Sequence, residues 1–229
     1  MNWHMILTIS AIEDSSKLAF LQRRIEALEW RDGRATAGKV AKAVKRNEQA
    51  IMTGAVGAEL QDELLPLISK NPVVKAAARP RRYTKLMISR TSNDGFYGPH
   101  VDNAIMGTGG ARLRTDISFT LFLNNPEDYE GGELVVHSSS MAQSIKGKAG
   151  QLVLYPSSSI HEVRPVTSGQ RVVCVGWIES LISDPTQREL LFDLENLRVS
   201  LRQKLVANSI ELLTLDKSIA NLLRMWGAT

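Results

Sequence analysis

Between Arg82 and Glu179 the chain carries short β-rich runs broken by Gly, Pro, Asn and Ser, and this punctuation constrains the fold most. The runs fall near 82–90, 97–102, 115–123, 132–137, 142–146, 151–155, 160–164 and 171–179. Their spacing of roughly 8–15 residues predicts an all-β sandwich or barrel. Asn124-Asn125-Pro126 and Tyr129-Glu130-Gly131-Gly132 supply turn chemistry between strands. Eight strands with hairpin-sized gaps suit a jelly roll, the double-stranded β-helix. The last two runs, within HEVRPVTSGQRVVCVGW, are expected to form a hairpin turning at Thr167-Ser168-Gly169.

Helical periodicity is confined to the flanks. Met5 to Ile9 reads as a short strand, followed by a helix capped by Asp14 or Ser15 with Leu18, Leu21, Ile25 and Leu28 on one face. Residues 34–54 read as a loop and then a partly helical stretch. A helix over 56–70 turns Leu60, Leu64, Leu67 and Ile68 inward, with Pro66 inside it, and Asn71-Pro72 closes it. Asp184, Pro185 and Gln187 open a leucine-striped helix, and a last helix covers 209–226. The fold class is therefore α+β: a mixed segment over 1–80 packing on the core, a jelly roll over 81–180, and helices over 181–229.

A composition 43% hydrophobic and 23% charged allows such a core to be buried. The longest apolar runs fall well short of the roughly 20 residues a membrane helix needs, so no membrane partner is expected. MNWHMILTIS lacks a basic leader region and a small-residue cleavage site, so no signal peptide is expected. One cysteine, Cys174, allows no intramolecular disulfide and suits a reducing cytoplasm. The net charge of +4 gathers at Lys39, Lys42, Lys45 and Arg46, and at Arg79, Arg81 and Arg82. No aromatic residues are interleaved to stack bases, so these read as a solvated helix face and a basic turn, with nucleic acid not expected as a partner. The C-terminal leucine stripes read as core packing, or as the interface of a homo-oligomer.

Four histidines are present: His4, His100, His137 and His161. In His100-Val101-Asp102 the two side chains lie two residues apart, which in an extended strand places both on one face, able to meet one metal ion. After Asp102, 58 residues intervene before His161, enough for several strands to wind round and supply a third ligand. Two histidines and one carboxylate leave open positions on Fe(II), as oxygen activation requires. Arg171, opening an apolar strand, calls for an anionic partner that need not be protein. Tyr155 is read either as a phenol in the pocket of that anion or as core packing. His137 is read as a strand-face or substrate-pocket residue rather than a metal ligand.

Together these stretches resemble the iron- and 2-oxoglutarate-dependent dioxygenases, specifically the bacterial PKHD-type hydroxylases. The likeness covers nearly the whole chain: DGRATAG and VKRN, GPHVDNAIM, RTDISFTLFLNNPEDYEGGELVV, GQLVLYPSSSIHEVRPVTSGQRVVCVGWIES, QRELLFDLENL and the terminal NLLRMW. The resemblance implies a jelly roll in which His100, Asp102 and His161 bind Fe(II) and Arg171 pairs with the distal carboxylate of 2-oxoglutarate. Thr91 stands where family members often carry a tyrosine that helps bind 2-oxoglutarate, so a shorter hydroxyl is expected there. The implied reaction consumes O2 and 2-oxoglutarate, releases succinate, and hydroxylates a small molecule or a protein side chain, with L-ascorbate as an accessory reductant. Some bacterial relatives are associated with iron acquisition, which implies a link to iron homeostasis. The alternatives are a jelly-roll sensor or regulator that binds metal without turnover, which would not need Arg171, and an oxygenase acting on nucleic acid.

Overall fold

The computed structural model describes residues 6–36, 43–138 and 141–228. Its first part contains β1 (Leu7–Ser10), α1 (Ser15–Glu26), β2 (Trp30–Asp32), β3 (Lys45–Arg46), β4 (Glu48–Ala50), α2 (Ala55–Ser69) and α3 (Pro72–Ala78). The strand-rich part follows, with β5 (Pro80–Tyr83), β6 (Met87–Ser92), β7 (Gly95–His100), β8 (Ile105–Met106), β9 (Leu113–Arg114) and β10 (Ile117–Phe122). It continues through β11 (Tyr129–Gly131), β12 (Leu134–His137), β13 (Ala142–Ile145), β14 (Gln151–Pro156) and β15 (Ile160–Ser180). Helices α4 (Pro185–Arg202) and α5 (Ile210–Trp226) close the chain.

The strands build a double-stranded β-helix. One antiparallel layer runs β1-β14-β10-β15-β6-β4-β2, with β5 also on β15; the other places β7, β12 and β11 on β15, β13 on β12 and β3 on β7. The expected hairpin over 160–179 is a single strand of 21 residues that serves both layers. Its first half pairs with β7 and β12, and its second half with β6 and β10. The turn chemistry at Thr167-Ser168-Gly169 is used for a bend. Gly169 has φ +71°, and a Cβ there would meet the Asp128 carbonyl oxygen at 2.1 Å, so the strand changes layers where β11 presses against it.

Alternation along the central strands separates two cores. In β10, Phe119 and Leu121 pack toward the helices, where Leu21, Ile25, Leu60, Leu64, Ile68 and Val74 meet them. Phe122, Val153, Tyr155 and Val173 face the space between the layers with Leu134, Val136 and Ile145. The i, i+4 spacing of Leu60, Leu64 and Ile68 puts all three on the buried face of α2.

Three local expectations are corrected. The strand read over 82–90 is two, β5 and β6. Asn71-Pro72 opens a helix as well as ending one: the Asn71 side chain accepts from Val73 N and Val74 N, and Pro72 takes the first helical position, where its missing N–H costs nothing. The described part of the stretch read as partly helical forms β3 and β4 instead, so Lys45 lies on a strand, whereas Lys39 and Lys42 lie outside the described residues. The second basic cluster is largely paired. Arg79 reaches Glu195 at 2.6 Å, joining α3 to α4, and Arg82 reaches Glu179 at 2.5 Å. Of the two candidate caps for α1, Asp14 accepts from Ser16 N and Lys17 N.

Candidate metal centre

Strand β7 ends at His100, whose register partner on β15 is His161. Residues directly opposite in an antiparallel pair present their side chains to the same face, and the two imidazole centroids lie 4.2 Å apart. Asp102 is not on the strand, contrary to expectation. The ladder runs out because β15 begins at Ile160, and Asp102 sits in the following loop. That loop is held by Thr115, whose Oγ1 donates to the Asn103 carbonyl at 2.6 Å and whose N–H donates to Ala104 O at 3.0 Å. Asp102 Oδ2 comes within 3.6 Å of His161 Nε2. One ligand atom each from His100, Asp102 and His161 falls within 4.8 Å of the others.

The hydrogen bonds fix which atoms are available. His100 Nδ1 lies 2.9 Å from Gly98 O, and His161 Nδ1 lies 3.1 Å from Ser159 O. A carbonyl only accepts, so both Nδ1 atoms carry the proton and both Nε2 lone pairs point elsewhere. Burial, and then the neighbouring His161, push the His100 imidazole down to about 4, so it is neutral near pH 7, the form that ligates metals. Ser118 Oγ donates to Asp102 Oδ2 at 2.6 Å and lies 2.8 Å from Ser157 Oγ. This donor set, two oriented imidazoles and a hydrogen-bonded carboxylate, fits a divalent iron with open positions.

The same cavity takes in Arg171, Thr91 and Tyr155. Thr91 is the register partner of Arg171, so their side chains share a face, and both are buried. Arg171 is 3% exposed, and among the described residues it forms no ion pair; its Nε has no hydrogen-bond partner. Its guanidinium lies 5.4 Å from the Phe122 ring centroid. Gly132 gives it room, because a Cβ there would stand 3.0 Å from Arg171 Cδ. Burial pulls the guanidinium pKa below its usual value, opposed only in part by Tyr129, Tyr155 and Glu133. Tyr155 meets His161 edge-on at 5.0 Å, and burial pushes its phenol well above the ordinary range.

His137 takes no part in this cluster. It lies on the face of β12 opposite Leu134 and Val136, with Nε2 3.8 Å from Glu162 Oε1. Ser118 was missed in the sequence, although the alternation of Ser118 and Thr120 with Ile117, Phe119 and Leu121 is the signature of a strand with one polar buried face. Lys45 was read as solvated and is 7% exposed in the cavity wall.

Residues 86–179 match the family model described as the 2OG-Fe(II) oxygenase superfamily. A PKHD-type hydroxylase of Hyphomonas neptunium is 46% identical over 96% of this chain and 99% of its own length. A PKHD-type hydroxylase of Synechococcus elongatus is 46% identical over 97% and 99%. Among solved structures, a prolyl hydroxylase from Trichoplax adhaerens, in complex with a hypoxia-inducible-factor peptide, superposes with TM-score 0.58 at 17% identity, covering 81% of this chain and 86% of that one. A 2OG-Fe(II) oxygenase family protein from Burkholderia pseudomallei gives 0.56 at 18%, covering 76% and 85%. The chain belongs to the PKHD-type hydroxylases of the 2OG-Fe(II) oxygenase superfamily, and is an Fe(II)- and 2-oxoglutarate-dependent oxygenase.

Proposed function

We propose that this oxygenase hydroxylates a C–H bond of a small molecule or a protein side chain, with His100, Asp102 and His161 holding Fe(II) and Arg171 holding the far carboxylate of 2-oxoglutarate. The observation that carries the reading is the buried Arg171, without an ion pair among the described residues, in one cavity with the two histidines and the carboxylate. A guanidinium in that setting needs a carboxylate from outside the protein. Iron bound there supplies the oxidative decarboxylation of 2-oxoglutarate to succinate and carbon dioxide, one oxygen atom entering succinate and the other the substrate C–H bond.

The chain's own residues orient and insulate. Gly98 O and Ser159 O set the imidazole tautomers, and Ser118 fixes the Asp102 carboxylate. Thr91 offers a short hydroxyl beside Arg171, and Tyr155 backs His161. A reducing compartment such as the cytoplasm is part of this reading, since the single cysteine, Cys174, allows no intramolecular disulfide. Among the described residues no helix is long and apolar enough to cross a membrane. Exposed Leu190 and Leu197, seven residues apart on one face of α4, support self-association through that helix.

Anaerobic addition of Fe(II) and 2-oxoglutarate is expected to give a weak visible charge-transfer band. A folded, iron-loaded protein without that band would instead favour a metal-binding sensor. A second expectation concerns Ser118→Ala. Removing the donor to Asp102 should weaken Fe(II) binding by about 10- to 100-fold. Metal titration of the apoprotein measures this, and an unchanged affinity would remove Ser118 from the centre.

A further inference from the structure

The segment Lys45–Ala50 bridges the open edge between the two layers. Lys45 pairs with Tyr97 on β7, while Glu48 and Gln49 pair with Arg90 and Ser89 on β6. Alternate residues Lys45, Asn47 and Gln49 line the cavity, and Glu48 turns away to bind Arg90 at 2.6 Å. This short bridge thus joins the strand that carries His100 to the strand that carries Thr91. It forms a wall of the metal cavity that the reaction described above does not use.

Lys45 is the charged member of that wall. Its Nζ lies 4.9 Å from the Tyr97 ring centroid, and Tyr97 stacks on His100 at 3.6 Å, so the ammonium, phenol ring and imidazole form one column. Burial lowers the ammonium to about 8, opposed by Asp102 and then Asp32, which leaves it mostly protonated at neutral pH. Asp32 is itself ion paired with Arg34. Trp177 lines the same cavity, and its Nε1 is buried without a hydrogen-bond partner among the described residues. The wall is rich in donors.

Lys45, Asp102 and Arg171 are the lysine, arginine and carboxylate side chains that line the cavity. With Asp102 assigned to the metal and Arg171 to the co-substrate, Lys45 is the cation left in the wall beside the substrate space.

We propose that Lys45 is a specificity-determining residue that binds an anionic group, a carboxylate, on the substrate beside the His100 face of the metal centre. The inference rests on the assignment of His100, Asp102 and His161 to iron. Substrates carrying such a group are held by a charge-assisted bond to Lys45, with Trp177 Nε1 as an added donor. A protein substrate would present an acidic side chain or a chain terminus next to the hydroxylated carbon, and a metabolite would present its own carboxylate.

The test compares N-acetyl amino acids with the matching N-acetyl amino acid amides, by calorimetry. The protein is loaded with Fe(II) and saturating 2-oxoglutarate under nitrogen. Wild type is expected to bind carboxylates about tenfold or more tighter than the amides. Lys45→Met should reduce the ratio to about twofold or less, and Lys45→Arg should restore most of it, since it keeps the charge. Absence of a carboxylate preference in wild type, including binding by neither series, overturns the proposal, as does a preference unchanged in Lys45→Met. The 2-oxoglutarate concentration that half-saturates the visible band is read in parallel. If Lys45→Met needs more than about fivefold extra 2-oxoglutarate, Lys45 belongs to the co-substrate site and the proposal falls. The calorimetry is repeated on metal-free protein, so a missing band, which would refute the iron assignment, still leaves the Lys45 comparison readable.

Discussion

His161→Ala is expected to abolish Fe(II)-dependent succinate formation, a loss of more than about a hundredfold, while the protein stays folded. The side chain supplies one of three ligand atoms that fall within 4.8 Å of one another, and among the described residues no other such group of metal-ligating side chains forms. His137, the remaining described histidine, lies on the far face of β12 beside Glu162. The backbone of residue 161 pairs with His100 on one side and Val136 on the other, and those hydrogen bonds do not depend on the imidazole. Truncation removes ring contacts to His100 and Tyr155 and leaves a small cavity, so stability should fall only by a few kcal/mol. Succinate release measured beside circular dichroism and thermal melting separates the two effects. His137→Ala provides the contrast and should keep its turnover. Turnover in His161→Ala above about a tenth of wild type would mean that the metal is held elsewhere.

What could be read from the chain follows from what local pattern encodes. Short β-rich runs and the turn residues between them revealed the strand-rich centre, and Leu60, Leu64 and Ile68 revealed the buried face of α2, because both signals live within a few residues. His100 with Asp102 was legible for the same reason, although its strand stops at His100. The continuous course of β15 was not legible. Thr167-Ser168-Gly169 looks like a hairpin turn, and only the packing of β11 against Gly169 shows that the same residues serve a bend. The difference matters for the site, because His161 and Arg171 sit on one strand that serves both layers. Their spacing is then fixed by a strand rather than by a flexible turn.

Lys45 shows the converse limit. Four basic residues close together at 39–46 resemble a solvated helix face, since charge without apolar periodicity usually lies in water. Burial of Lys45 depends on two long-range pairings, with β7 on one side of the bridge and β6 on the other. Neither partner is local in sequence. Ser118 falls between these cases. Its alternation with apolar neighbours was visible, whereas its bond to Asp102 required knowing how β10 packs beside the loop after β7.

Arg171→Ala should raise the 2-oxoglutarate requirement with a smaller effect on the rate at saturating co-substrate. The guanidinium is buried, and the protein offers it Phe122, neighbouring tyrosines and the more distant charge of Glu133 but, among the described residues, no ion pair. A charge-assisted, two-pronged bond to a carboxylate in such a site contributes roughly 2–3 kcal/mol. That corresponds to a rise of roughly 30- to 150-fold in half-saturating 2-oxoglutarate. Arg171→Lys should fall between, because it keeps the charge and loses the planar fork. Stability offers an independent sign. A buried cation compensated only in part is unfavourable, so the ligand-free alanine variant should melt close to wild type, the relieved desolvation offsetting the lost packing. Adding 2-oxoglutarate to the metal-loaded protein, at a concentration that saturates wild type, should raise the wild-type melting temperature more than that of the variant. If both requirement and ligand-induced stabilisation match wild type, the carboxylate is bound by another group. Lys45 would then be the first residue to test, as the other cation in the cavity wall.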